Sequence, residues 1–201
     1  MDLYTYEREA LERGATLVCG CDEAGAGPLA GPVYAAAVVL PLGEEIPGLN
    51  DSKKLTERRR EQLFPQIQER SLAWSVAWVD AAEIDATDIL SARMRAMQLA
   101  IDGLSLRPDL ALIDGNRDRG KTAAVTTPHR CVVKGDSLSA SIAAASVLAK
   151  VSRDRYMLEM ARAYPEYGFD RHKGYGTRLH YEMLRRYGPS PIHRRTFLKN
   201  L

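Results

Sequence analysis

Three short apolar runs in this chain stop at acidic residues, and that arrangement constrains the fold more than any other feature. Residues 17–21 lead into the adjacent acids Asp22 and Glu23, and residues 110–113 lead into Asp114. Residues 131–133 run through Lys134 and Gly135 to Asp136. Runs this short suit strands, and Leu-Ala-Leu-Ile at 110–113 has no polar side, as expected of a strand buried on both faces. Strands ending together in carboxylates gather like charges, which repel unless cations neutralise them. Such hard oxygen donors suit Mg2+ or Mn2+. Each acid also has a plainer explanation: Asp114 opens an Asp-Gly-Asn turn, and Asp136 precedes a helix whose dipole favours negative charge.

The first acid pair runs into a loop with glycines at 25, 27 and 31, followed by an apolar run over 33–40 that Pro41 closes. Successive side chains on a strand point to opposite faces, so Asp22 and Glu23 meet one ion only where the strand ends and twists. The glycines release φ and let a ligand backbone come close, which suits a metal ion beside a phosphodiester. A polar hairpin turn with solvated acids is the better account of this stretch when it is taken alone.

Around these runs the pattern predicts a helix over 2–13 and a hairpin of strands 17–22 and 33–40. The small residues Ala35, Ala36 and Ala37 would let a helix lie close on the sheet. Thr56 caps a charged helix that Pro65 is expected to interrupt or bend, and residues 72–79 form a strand with two tryptophans. Asp80 and Thr87 are expected as successive caps, the second opening a helix to about residue 104. A long helix over 139–164 and a shorter one over 178–187 precede a proline-containing tail. Ser139, Ser141 and Ser146 lack a base partner and are expected to cap and pack helices.

With 201 residues, 45% hydrophobic and 27% charged, the chain can bury a substantial single core. The net charge of +2 hides an asymmetry: Arg171, His172, Lys173, Arg178, Arg185, Arg186, His193, Arg194, Arg195 and Lys199 make the C-terminal part basic, which hints at a polyanionic partner. Cys19, Cys21 and Cys131 neither form a disulfide framework nor complete a zinc site, and are expected to be small buried residues in a reducing compartment. The charged N-terminus has no secretion signal, and no apolar run reaches spanning length, so a cytoplasmic protein without a membrane partner is expected.

The block over 22–33, DEAGAGPLAGPV, resembles the signature of ribonuclease HII, the type 2 ribonuclease H family. DSKKL (51–55), LIDGN (112–116), VVKGDSLSASIAAASVLAKVSRD (132–154), HKGYGT (172–177) and PSPIHRRTF (189–197) follow in the family's order. The resemblance implies an α/β ribonuclease H-like fold: a five-stranded mixed sheet with helices on both faces and a helical C-terminal extension. It implies one catalytic domain over 1–201, with residues from about 165 to 201 as the basic extension.

It further implies that Asp22, Glu23, Asp114 and Asp136 are catalytic and bind two divalent ions, Mg2+ or Mn2+, which activate water and stabilise the leaving 3′ oxygen. Backbone groups of Gly25, Ala26 and Gly27, together with Tyr175, would read a ribonucleotide 2′-hydroxyl. Lys53, Lys54 and Lys173 are candidate phosphate contacts; Lys134, Lys150, Arg153 and His172 are left unassigned. The expected partners are RNA–DNA hybrids and duplex DNA containing ribonucleotides, cut by a monomer serving DNA repair and replication. Alternatives are another nuclease of this fold, such as a junction resolvase or exonuclease, or a hybrid-binding protein without catalysis. One departure stands out: Ala26 occupies the place where the family carries Arg or Lys.

Overall fold

Five strands, β1 (Val18–Ala24), β2 (Val33–Val39), β3 (Ala73–Val79), β4 (Leu110–Asp114) and β5 (His129–Val132), form one mixed sheet in the order β3-β2-β1-β4-β5. The computed structural model describes residues 2–115 and 124–198; Asn116 of the LIDGN block and Lys199 lie outside them. β1 pairs antiparallel with β2, and β2 with β3, whereas β1–β4 and β4–β5 are parallel. The expected hairpin is therefore present, and β4 sits inside the sheet with Ala111, Leu112 and Ile113 buried.

Helices cover both faces, and the alanine run of β2 serves both. Ala35 and Ala37 pack in one core with Met94, Met97 and Ile101 of α4 (Ile89–Asp102). Ala36 packs in the other with Ala144, Ala145 and Leu148 of α5 (Ala140–Ala163), beside Leu63 and Ile67 of α2 (Glu57–Arg70). The approach of α5 depends on Gly20: a Cβ there would stand 2.2 Å from the Ile142 amide nitrogen. The remaining helices are α1 (Thr5–Glu12), α3 (Ala81–Ala86), α6 (Phe169–His172) and α7 (Arg178–Tyr187).

Local expectations fail in three places. α2 runs unbroken across Pro65, which is exposed, because Leu63, Phe64 and Ile67 tie the helix to the core on either side. Asp88, not Thr87, caps α4: its carboxylate accepts from the amides of Leu90 and Ser91, while Thr87 ends α3. Cys19 and Cys21 are buried as expected, but Cys131 lies on the edge strand β5 and is exposed. Within the basic C-terminal part His172, His193 and Arg194 are buried, whereas Arg171, Arg178, Arg185, Arg186 and Arg195 are exposed.

Candidate active site

Parallel register brings the first two acids together. Cys21 pairs with Ile113 across β1 and β4, so Asp22 and Asp114 leave neighbouring strands side by side. Asp136 arrives by a different route from the expected strand end. β5 stops at Val132, Lys134 takes a left-handed conformation with φ 57°, and a short 3-10 turn (Gly135–Ser137) swings Asp136 back toward Asp114. The Gly135 amide donates to Asp114 Oδ1 at 2.7 Å, which holds the turn against the strand. Asp22, Asp114 and Asp136 then each offer an oxygen within 4.8 Å of the other two.

Electrostatics mark these acids as unusual. Burial pushes the Asp22 carboxyl well above the ordinary range, and the charges of Glu23 and Asp114 push it further. Burial and then Asp136 raise Asp114. Glu23 is raised mainly by burial, which outweighs the opposing pull of Arg93. Glu23 lies outside the three-acid group and is ion-paired to Arg93 of α4, as alternation along β1 requires. Its second oxygen, Glu23 Oε2, is buried with no hydrogen-bond partner among the described residues. Crowded carboxylates and an orphaned carboxylate oxygen fit divalent cations with a preference for hard oxygen ligands.

The predicted cations divide into two groups. Lys53 follows Asp51, whose side chain caps the 3-10 turn over Ser52–Lys54, and its ammonium bonds Asp136 Oδ2 at 3.1 Å. Burial would lower the Lys53 ammonium, but the hydrogen bond and charge of Asp136, with Asp22 and Asp51, carry it above its ordinary value. Lys54 donates to Ser137 Oγ at 3.0 Å, one residue from Asp136. Lys173 instead turns onto the Asp170 carbonyl within its own loop and takes no part in this cluster. Ser139 caps α5 as expected, and Ser146 Oγ accepts from the Ser52 amide, docking the Lys53 loop on that helix.

The glycine loop and Tyr175 are neighbours. A Cβ on Gly27 would lie 3.8 Å from the Tyr175 ring, and the Leu29 amide donates to the Gly174 carbonyl at 2.9 Å. Tyr175 is exposed, and the amides of Ala26 and Gly27 donate to no protein acceptor among the described residues. Beneath the loop lie two buried arginines, Arg153 and Arg194. Arg194 donates to the carbonyls of Gly25, Ala26 and Gly31 at 2.6, 2.9 and 2.9 Å. Arg153 donates to those of Ala30 and Pro32, both at 3.2 Å. A basic residue inside a proline-rich tail carries no sequence signal of facing inward.

Residues 19–200 match the family model described as Ribonuclease HII. A ribonuclease HII of Caldicellulosiruptor bescii is 50% identical over 198 residues, covering 98% of this chain and 94% of that protein. One from Idiomarina loihiensis is 51% identical over 181 residues, covering 90% and 95%. Among solved structures, a ribonuclease H2 from Pyrococcus horikoshii superposes with a TM-score of 0.74 at 28% identity, over 90% of this chain and 93% of that one. A ribonuclease HII of Archaeoglobus fulgidus, solved in complex with PCNA, gives 0.73 at 26% identity, over 89% and 93%.

Proposed function

The chain belongs to the ribonuclease HII family and is a ribonuclease H endonuclease; from that premise we propose that it cuts 5′ of ribonucleotides embedded in duplex DNA and within the RNA strand of RNA–DNA hybrids. The products are a 3′-hydroxyl and a 5′-phosphate. The observation that carries this reading is the convergence of Asp22, Asp114 and Asp136 beside a glycine loop and Tyr175. Glu23 completes the acidic set from the next position on β1. Asp22, Glu23, Asp114 and Asp136 would hold two divalent ions, Mg2+ or Mn2+, which would supply Lewis-acid activation of water and stabilisation of the leaving oxygen.

The chain's own groups do the rest. Lys53, an exposed side chain anchored on Asp136, stands where a phosphate beside the acids meets a fixed positive charge. The Ala26 and Gly27 amides and the Tyr175 phenol together offer donors and an acceptor to a 2′-hydroxyl, which deoxyribose lacks. Lys54 supports the Asp136 turn through Ser137, and Lys173 makes a peripheral phosphate contact once it leaves Asp170. We read residues 1–201 as one catalytic domain acting as a monomer, with the segment from about 165 as an extension that braces the site. The buried thiols Cys19 and Cys21 suit the reducing cytoplasm, where such an enzyme serves DNA repair and replication. Among the described residues no helix is long and apolar enough to cross a membrane.

The test is cleavage of a duplex carrying one ribonucleotide, with product ends mapped, in Mg2+, in Mn2+ and in excess chelator. Incision on the 5′ side that stops in chelator is expected; undiminished turnover in chelator would overturn the metal mechanism.

A further inference from the structure

The two elements assigned to ribonucleotide recognition are far apart in sequence, yet one short strip of the C-terminal segment grips both. Ala30 and His193 form an isolated antiparallel bridge, in which the Gly31 amide donates to the Ile192 carbonyl and the Arg194 amide to the Leu29 carbonyl, each at 2.8 Å. From that bridge adjacent side chains leave in two directions. Arg194 spans the glycine loop from below, and all three donor nitrogens of its guanidinium reach a loop carbonyl. His193 reaches the other element through a chain of imidazoles.

Hydrogen bonding fixes the protons along that chain. The Ser190 amide donates to His193 Nδ1 at 2.9 Å, so the His193 proton sits on Nε2. His193 Nε2 then donates to His180 Nε2 at 2.9 Å, which leaves the His180 proton on Nδ1. His180 Nδ1 donates to the Tyr175 carbonyl, also at 2.9 Å. Both rings are neutral and fully committed, because a second proton on either would set two N–H groups against each other. Neither ring is exposed to reacting groups, and the metal-holding acids do not touch them.

We propose that His193 and Arg194 are positioning residues for ribonucleotide recognition, locking the glycine loop and the Tyr175 loop in register with each other. The proposal rests on the reading that those two loops contact the 2′-hydroxyl. A carbonyl held from below fixes the peptide plane that presents the next amide to the opposite side, so Arg194 aims the amides of Ala26 and Gly27. His193, through His180, fixes the backbone that carries the Tyr175 phenol. Recognition of one hydroxyl from two loops requires their separation to be constant within a hydrogen-bond length. The same strip explains how the loop keeps its shape with Ala26 in place of a longer side chain.

The experiment measures dissociation constants, in excess chelator so that nothing is cut, for an all-DNA duplex and for the same duplex carrying one ribonucleotide. The ratio of the two constants isolates the 2′-hydroxyl, and a variant that merely lowers the folded fraction leaves it unchanged. Arg194→Lys keeps the charge and loses the three-pronged contact; His193→Gln breaks the imidazole chain. Each is expected to lower the ratio about tenfold, the loss of one well-placed hydrogen bond. Tyr175→Phe is run in parallel and should lower it as well, with little further loss when combined with His193→Gln. If Arg194→Lys does not fold, His193→Gln carries the test alone. A ratio unchanged by either variant, while Tyr175→Phe lowers it, overturns the positioning role and leaves the recognition reading standing. A ratio that neither Tyr175→Phe nor Tyr175→Ala changes removes the recognition reading, and this proposal with it.

Discussion

Asp22 shows what the site costs the fold when no cation is bound. Its carboxyl is buried beside two other acids, so its charge is opposed by burial, Glu23 and Asp114 at once. Asp22→Asn should therefore abolish cleavage and yet stabilise the metal-free protein by about 1–2 kcal/mol. Thermal unfolding in chelator checks this, and excess Mg2+ should raise the wild-type midpoint more than the variant's. A variant less stable than wild type in chelator would mean that the acids do not repel. Ala26 is the second residue to try. Its carbonyl is held by Arg194, so on the proposed reading a long side chain here would add a phosphate contact without being needed for the shape of the loop. Ala26→Arg should lower KM more than it raises kcat, by a margin that shrinks with salt, in steady-state kinetics at two ionic strengths. The acids were legible because each ends an apolar run. The opposite placement of Glu23 was legible only in part: alternation along a strand was plain, but its Arg93 partner sits about seventy residues away.

Among the elements, the interface of α5 and β1 is the one that a single side chain can break. Gly20 lies under the first turn of α5, where a Cβ would stand 2.2 Å from backbone atoms of Ser141 and Ile142. Backbone cannot rotate out of the way as a flexible side chain can. Gly20→Ala should cost about 1–3 kcal/mol, typical of overpacking, and should lower cleavage by displacing Asp22 two residues on. Denaturant unfolding and turnover measured on the same protein check it; unchanged stability would show that α5 can lift off freely. Most elements were readable from periodicity, including the strand buried on both faces and the helix over 178–187, whose observed bounds agree with expectation, whereas the four-residue α6 is too short to show a period. What periodicity misjudged was decided by packing or by short-range competition. Three buried apolar residues carry α2 past Pro65, and Asp88 outcompetes Thr87 because its carboxylate accepts from two amides. The Lys134 turn that delivers Asp136 needs a left-handed lysine, a conformation no composition rule assigns to that residue.

At the scale of the whole molecule, the C-terminal segment changes meaning between sequence and structure. Its positive residues read as a face for a polyanion, but Arg194 and three histidines turn inward and tie the tail to the catalytic half. That burial has a consequence for pH. Burial holds His180 and His193 at about 4, against an ordinary value of 6.5. The unfolded chain therefore takes up protons before the folded one as the medium is acidified. Stability contributed by these neutral rings is complete above about pH 6.5, declines as pH falls toward about 4, and levels off below. Each ring could account for at most about 3 kcal/mol over that window, and less for a pair that shares a hydrogen bond. The raised carboxyls of Asp22, Glu23 and Asp114 act in the opposite sense, since the folded state holds their protons more tightly. A single stability curve would mix the two effects, so the useful quantity is the difference between wild type and His193→Gln. The acids contribute equally to both proteins and cancel. Denaturant midpoints between pH 7.5 and 4.5 should show wild type losing its advantage over the variant as the medium turns acidic. A difference that stays constant across that range would mean that the imidazole chain is already protonated or does not govern the tail.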